Sequence, residues 1–295
     1  MNIVCDKTLL SAAIDGVSKA VTMRSSIPVL EGILLKAEGF QLTLTGYDLE
    51  MGIVTTIEAN IKEPGEIVLN AKLLSSMISR MPAGQISIVA ADNGKTTIQS
   101  GVAQFEIQSM PATDFPDLPN TGAEQTLTIK TGVLRDMIDR TLYAVSQDEK
   151  KPAHTGELFE IELDKLTIVA LDGYRLAIVE RPITAVKDIR IIVPSKTMTE
   201  VSHLLANDDE EDVHISANRR YVVFTTAGYT IMSRLIEGEF LNYRNVIPAG
   251  SRTRVTIDTK DFISTIERAS LIITCLLYTS PSPRDRSLSR MPSSA

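Results

Sequence analysis

The sequence predicts an α+β protein built from tandem copies of one module, each with antiparallel sheets and two helices. Three observations lead there. Strand-like alternation outnumbers helical periodicity, long βαβ alternation is missing, and one set of residues recurs at a fixed offset. Asp48, in Leu44-Thr45-Gly46-Tyr47-Asp48-Leu49, returns as Asp172 in Ile168-Val169-Ala170-Leu171-Asp172-Gly173, 124 positions on. Lys72 returns as Lys196 and Phe105-Glu106-Ile107 as Tyr229-Thr230-Ile231 at that same offset, and Asp114–Leu118 as Glu239–Tyr243 at 125. Together these matches indicate a duplication.

Taken in order, each copy opens with a β-rich segment, polar capping residues and an amphipathic helix. Asp6–Ile14, Lys130–Ile138 and Asp258–Ile266 share this opening, so a third copy begins as well. Helices are expected over Leu9–Val21, Lys72–Met81, Gly132–Ser146 and Ser195–Leu205. Strands are expected at Ile33–Lys36, Gln41–Thr45, Gln85–Ala90, Thr96–Ser100, Leu158–Leu163, Leu166–Ala170, Val213–Ser216 and Tyr221–Thr226. Turn-rich linkers at 116–122 and 248–251 set domains of 1–122 and 123–250, with an incomplete third at 251–274. The acidic run Asn207–Asp212 reads as a solvated loop, with an interaction site as the alternative. From Cys275 the 21 remaining residues hold six Ser, three Pro and three Arg without helical or strand period. The segment 275–295 is read as a non-native tail; a basic tail and a linker are the alternatives.

Composition narrows the chemistry. Of 295 residues, 43% are apolar and 23% charged, as in a globular protein that needs no disulfide or metal to hold a core. Two cysteines, Cys5 and Cys275, suit a reducing compartment. No apolar run approaches the ~18 residues of a membrane span and the start lacks a secretory signal, so a cytoplasmic, membrane-free protein is expected. Phosphate-loop, zinc-site and nucleophile-elbow spacings do not occur, and no cofactor or catalytic residue is expected. Asp48 and Asp172 hold equivalent strand-end positions, which suits turn capping; catalysis is the competing reading.

The net charge is −7, from 30 basic and 37 acidic residues. Basic residues nevertheless gather around the helices: Lys7, Lys19 and Arg24, then Lys72 and Arg80, then Arg135, Arg140, Lys150 and Lys151, then Lys196. Such spacing suits one cationic face for a polyanion, and equally suits scattered solubilising charge. A phosphate-binding face would ignore sequence and weaken with salt.

Three stretches of the first copy, Arg24-Ser25-Ser26-Ile27-Pro28-Val29-Leu30, Leu42–Glu50 and Met110-Pro111-Ala112-Thr113-Asp114-Phe115-Pro116, resemble the bacterial DNA polymerase III beta subunit family, the sliding clamps. Thr155–Glu160, Ala170–Ala177, Val193–Lys196 and Leu235–Tyr243 extend the resemblance, which runs from Met1 to about Thr274. It implies clamp domains with sheets outside and helices inside, in a homodimeric ring that encircles duplex DNA during replication. Such a processivity factor is a non-catalytic accessory of the polymerase. By position, Arg24, Lys72, Arg80, Lys151 and Lys196 would face DNA. A peptide pocket for the polymerase alpha subunit and the clamp loader would map onto His154, Leu171, Gly173, Tyr174, Arg175, Leu176, Leu241, Asn245 and Val246. Phe105, Leu271 and Ile272 would meet at the dimer interface. A third-copy fragment of about twenty residues buries too little apolar surface to order itself, so two sound domains, a loose stub and no ring closure are expected. The competing functions are a metal-dependent DNA nuclease or polymerase, which needs converging carboxylates, and a pure protein-docking scaffold.

Overall fold

The computed structural model describes residues 1–22, 24–122, 124–185, 187–205, 210–248, 250 and 253–271. The first copy runs β1 (Asn2–Asp6), α1 (Lys7–Val17), β2 (Gly32–Glu38), β3 (Gln41–Tyr47), β4 (Met51–Glu58), β5 (Asn60–Glu63), β6 (Gly65–Asn70), α2 (Ala71–Arg80), β7 (Gln85–Ala90), β8 (Lys95–Ser100) and β9 (Ala103–Gln108). The second runs β10 (Glu124–Lys130), α3 (Thr131–Asp139), β11 (Gly156–Ile161), β12 (Lys165–Leu171), β13 (Leu176–Pro182), β14 (Ile189–Pro194), α4 (Ser195–Leu204), β15 (Asp212–Ala217), β16 (Tyr221–Thr225) and β17 (Tyr229–Arg234). Apart from β5, every element has a counterpart.

The repeat is visible to the residue. Strands β3 and β12, β6 and β14, and helices α2 and α4 begin 124 positions apart and end 124 apart. Beyond α2 the spacing grows: β7 and β15 start 127 apart, β8 and β16 126, β9 and β17 126. The extra residues lie between α4 and β15, in the acidic segment, of which 206–209 are outside the described residues. This corrects one expected match. Phe105 pairs across its hairpin with Ile98 as Ile231 pairs with Phe224, so its counterpart is Ile231 rather than Tyr229.

Two of the expected helices are shorter than expected. The α1 helix stops at Val17 and tightens into a 3-10 turn at Ser18–Ala20. Helix α3 stops at Asp139, where the Thr141 hydroxyl reaches back to the Met137 and Ile138 carbonyls at 2.9 and 3.2 Å. Asp6 caps α1 by accepting from Thr8 and Leu9 N–H, and Asn70 caps α2 by accepting from Leu73 N–H. Helices α1 and α2 pack as one pair and α3 and α4 as another.

Three antiparallel sheets result, ordered β5-β1-β7-β8-β9, β10-β15-β16-β17-β4-β3-β2-β6 and β13-β12-β11-β14. The eight-stranded sheet joins the copies, because β17 pairs with β4 from Tyr229↔Thr55 to Ser233↔Met51. At this joint Ile53 and Ile231 are fully buried in the main core with Ile14 of α1 and Val201 of α4. Side chains alternate along a strand, so Tyr47 and Met232 fall on the opposite face, where they cluster with Val29 and Phe115. Leu118 of the linker packs there too. All four helices thus line one face of the joined sheet. Burying each large apolar side chain at this joint is worth roughly 1.5–3 kcal/mol.

By contact the chain divides into Met1–Leu241 and Asn242–Ala295. In the second unit, α5 (Thr259–Ser270) is capped by Asp258, which accepts from Lys260 and Asp261 N–H as Asp6 does at α1. Its Phe262, Ile263 and Ile266 remain half exposed. The strand expected ahead of it does not form over 253–258: those residues have no described ladder partner. Residues 275–295 lie outside the described residues.

Candidate nucleic-acid and peptide interface

The two repeated aspartates are turn caps. Asp48 Oδ1 accepts from Glu50 and Met51 N–H at 3.0 and 2.7 Å, and Asp172 Oδ1 from Tyr174 and Arg175 N–H at 2.9 and 3.1 Å. Their second oxygens differ in use. Asp172 Oδ2 accepts from Arg175 Nε at 2.7 Å, whereas Asp48 Oδ2 accepts from Lys196 Nζ of the other copy. Burial is the largest single influence on the Asp172 carboxyl and raises its pKa, but the Tyr174 N–H bond together with the Arg175 side chain and N–H outweighs it and holds the carboxyl below the usual range.

The basic residues divide by partner. Lys7 donates to the Ser79 and Met81 carbonyls at 3.4 and 2.6 Å, satisfying the C-terminal end of α2. Arg135 reaches the Leu205 carbonyl at 3.5 Å and Asp139 at 3.8 Å, so the second copy closes α4 in the same manner. Arg140 pairs with Asp136 at 2.6 Å, and Arg181 joins that carboxylate at 2.9 Å. These four cations are structural.

Lys72 stands on the first turn of α2, exposed, at the mouth of a cavity of about 290 Å³ that Asn70, Ser75, Ser76 and Glu31 also line. Arg80 closes the same helix, exposed, with its Nη1 on the Ser76 carbonyl at 3.2 Å. Arg24 is exposed in the loop after α1, and Lys151 is exposed just before the 3-10 turn Pro152–His154. Lys196 is 55% exposed but tied to Asp48, whose side chain is only 5% exposed.

Five of the expected pocket residues, Leu171, Gly173, Tyr174, Arg175 and Leu176, lie on the β12–β13 hairpin. Leu171 and Leu176 pair directly, and Gly173 between them has φ 91°, a left-handed turn conformation that suits glycine. Tyr174 is exposed. The Arg175 guanidinium sits 5.7 Å from the ring centre of Tyr143, itself exposed. His154 meets the buried Phe240 edge-on at 5.5 Å, with Leu241 next in the chain and half exposed. Burial and then the Lys151 charge hold the His154 pKa below its usual value, which favours the neutral ring. Asn245 ends a 3-10 turn of the second unit and Val246 follows it, exposed. Tyr143 is the residue that the sequence left unmarked, and Phe240, though inside the matched stretch Leu235–Tyr243, was not assigned to the pocket. Tyr143 carries no periodic or motif signal, and only the fold brings it to Arg175.

A neighbouring cavity of about 420 Å³ is lined by Ile191, Arg219, Ile236, Glu237 and Phe240, and by none of the expected pocket residues. Cys5 is buried, and burial, with the Asp6 charge adding to it, pushes its thiol up to about 12, which favours the neutral thiol. Among the described residues no cluster of His, Cys, Asp or Glu could hold a metal. No described helix is long and apolar enough to cross a membrane.

A duplicated module, a sheet shared between copies and a helix layer on one face define a protein of the sliding-clamp class. The family profile for the DNA polymerase III beta subunit N-terminal domain matches residues 1–119, and that for its central domain matches 128–242. The chain belongs to the DNA polymerase III beta subunit family. It is 33% identical over 284 residues to the beta sliding clamp of Halalkalibacterium halodurans and 31% over 282 to that of Bacillus subtilis. In both comparisons 92% of this chain covers 74% of the relative, so it spans about three quarters of their length. The crystal structure of a DNA polymerase III beta subunit from Eubacterium rectale superposes with a TM-score of 0.89 at 32% identity. The Bacillus subtilis sliding clamp also gives 0.89, at 30% identity, and each superposition covers 92% of this chain and 74% of the other.

Proposed function

We propose that the chain is a non-catalytic DNA sliding clamp whose helix layer holds duplex DNA by phosphate contacts that ignore sequence. The observation that carries this reading is the placement of Lys72 and Arg80 at the two ends of α2, both exposed, on the helix-bearing face of the joined sheet. Arg24 and Lys151 extend that set, and Lys196 joins it when released from Asp48. Contacts of this kind are individually weak and exchange readily, which permits sliding. Polymerase and clamp-loader peptides dock around the β12–β13 hairpin, through His154, Leu171, Tyr174, Arg175, Leu176 and Leu241 with Gly173 as its turn; Asn245 and Val246 belong to the same proposed set. An apolar anchor residue suits Leu171 and Leu176. Phe105, 37% exposed on β9, contributes to a subunit interface together with Leu271 and Ile272, the last of which lies outside the described residues. A cytoplasmic location belongs to the same proposal.

The test is duplex binding measured against salt for the wild type and for Lys72→Glu and Arg80→Glu. Each substitution should weaken binding equally across DNA sequences and reduce the log–log salt slope by about 1. Unchanged slopes would favour a docking scaffold without a DNA role.

A further inference from the structure

The cavity of about 420 Å³ lies against an outer strand of the second copy whose edge is only partly closed. Strand β14 ends its sheet and is bonded to β11 on one side alone. Its Ile192 carbonyl accepts from Ile236 N–H at 3.0 Å, so the backbone groups of Ile192 point away from β11. In an antiparallel strand the groups of alternate residues point to the same side, so those of Arg190 point outward too. Among the described residues the Arg190 N–H and carbonyl and the Ile192 N–H have no hydrogen-bond partner.

The first copy closes the corresponding edge. Met110, the counterpart of Ile236, exchanges two bonds with Val68, the counterpart of Ile192, at 3.1 and 2.9 Å. Ile236 makes only one of these two. A second copy follows β6 in the chain, yet β6 remains the outer strand of its sheet. A following copy thus leaves this edge uncovered, and the opening in the second copy comes from how Ile236 sits on β14.

The groove beside the open edge has an apolar floor and a charged rim. Leu158, Ile191, Leu235 and Phe240 are buried beneath it. Arg190 is neutralised by Glu160 at 3.4 Å. Of the other charges on the rim, Glu237 and Glu239 stand against Arg219, all three exposed and without an ion pair among the described residues. A net negative rim over an apolar floor, next to unpaired strand groups, matches an extended segment with basic and apolar side chains. We infer that a basic, extended peptide segment of a partner protein adds to β14 as a further strand. It bonds Arg190 and Ile192 and lays an apolar side chain between Ile191 and Phe240. This surface is separate from the hairpin pocket and depends on neither that pocket nor DNA.

The test uses an acetylated, amidated Lys-Thr-Ile-Thr-Lys peptide, which when extended carries both basic groups and the apolar one on a single face. It is titrated into the isotope-labelled full chain and followed by NMR. Amide exchange at Arg190 and Ile192 should be fast in the free chain and slowed by the peptide, with Val68 unchanged. Glu237→Lys combined with Glu239→Lys, both on an exposed segment, should weaken binding by about tenfold. Replacing both Lys of the peptide with Glu should weaken it likewise. Alternate amides of the added strand face the edge, so methylating the Ile amide and methylating the two Thr amides should differ. One pattern should abolish binding and the other spare it. No binding at millimolar peptide, binding without protection of Arg190 and Ile192, equal effects of the two methylations, or equal affinity for the acidic peptide would each overturn the proposal.

Discussion

Glu157 Oε1 lies 2.5 Å from the Thr141 hydroxyl inside the second copy, where the first copy has the fully buried pair Ile33 and Val17. The hydroxyl has one proton, and the Met137 and Ile138 carbonyls are placed to accept it. It also donates to Glu157 Oε1, so the three acceptors share one proton, while burial favours the neutral form of the acid. Burial pushes its pKa from 4.5 up to about 8, and the nearby Asp139 charge adds to that rise although the Thr141 contact opposes it. The other oxygen, Oε2, is buried without a partner.

Stability is therefore expected to fall as pH rises from 4.5 to about 8, since the folded chain retains a proton that the unfolded chain releases. At about 1.4 kcal/mol per unit, the loss is on the order of a few kcal/mol. Urea melts between these limits should show a declining midpoint for wild type. Glu157→Gln keeps an amide oxygen that accepts from the Thr141 hydroxyl and should remove most of the slope. Parallel curves for the two proteins would contradict a protonated Glu157.

Leu49 has φ 76°, and its counterpart in the second copy is Gly173, with φ 91°. A leucine side chain in the left-handed region costs roughly 1–2 kcal/mol, partly offset by the extra freedom glycine has when unfolded. Leu49→Gly should thus raise the melting midpoint by an amount equivalent to about 0.5–1 kcal/mol. Gly173→Leu should lower it. Thermal melts of both variants check the pair.

How much of this was legible in sequence follows from the range of each interaction. Asp48 and Asp172 were readable as turn caps because they bond N–H groups two and three residues on. Helices α2 and α4 were readable because their apolar faces repeat within a few residues. Lys7 and Arg135 stood in the basic set that suited a polyanion face or scattered charge equally, since nothing local shows that each serves a helix end some 70 residues away. The β17–β4 joint was invisible for the same reason: strands more than 170 residues apart carry no mutual signal in one chain. Tyr143 became a site candidate only when the fold placed it beside Arg175.

Gly46 of β3 faces the end of α1, and a Cβ there would collide with the Val17 carbonyl oxygen, which is backbone and cannot swing aside. In the second copy the equivalent position is Ala170, fully buried, because α3 ends earlier and leaves room. Gly46→Ala should consequently destabilise by about 1–3 kcal/mol, the usual range for overpacking. Ala170→Gly should cost less, near the ~1 kcal/mol typical of glycine in regular structure. Denaturation of the two variants side by side would reveal whether this asymmetry holds.

Lys196 and Asp48 couple the second copy to the first, and their ion pair competes with phosphate for the lysine. Asp48→Asn retains an oxygen for the Glu50 and Met51 N–H groups but weakens the hold on Nζ. Two effects should follow. A double-mutant cycle of Asp48→Asn with Lys196→Met should give a coupling of about 1 kcal/mol, near the upper end for an exposed lysine, because the carboxylate is sheltered. In duplex binding, Asp48→Asn should tighten affinity and steepen the salt slope by up to about 1, as one more cation becomes available. Lys196→Met should leave the slope of the wild type nearly unchanged while abolishing the gain from Asp48→Asn. If Lys196→Met alone flattened the slope as much as Lys72→Glu, the lysine would already be on the DNA and the ion pair would not govern it.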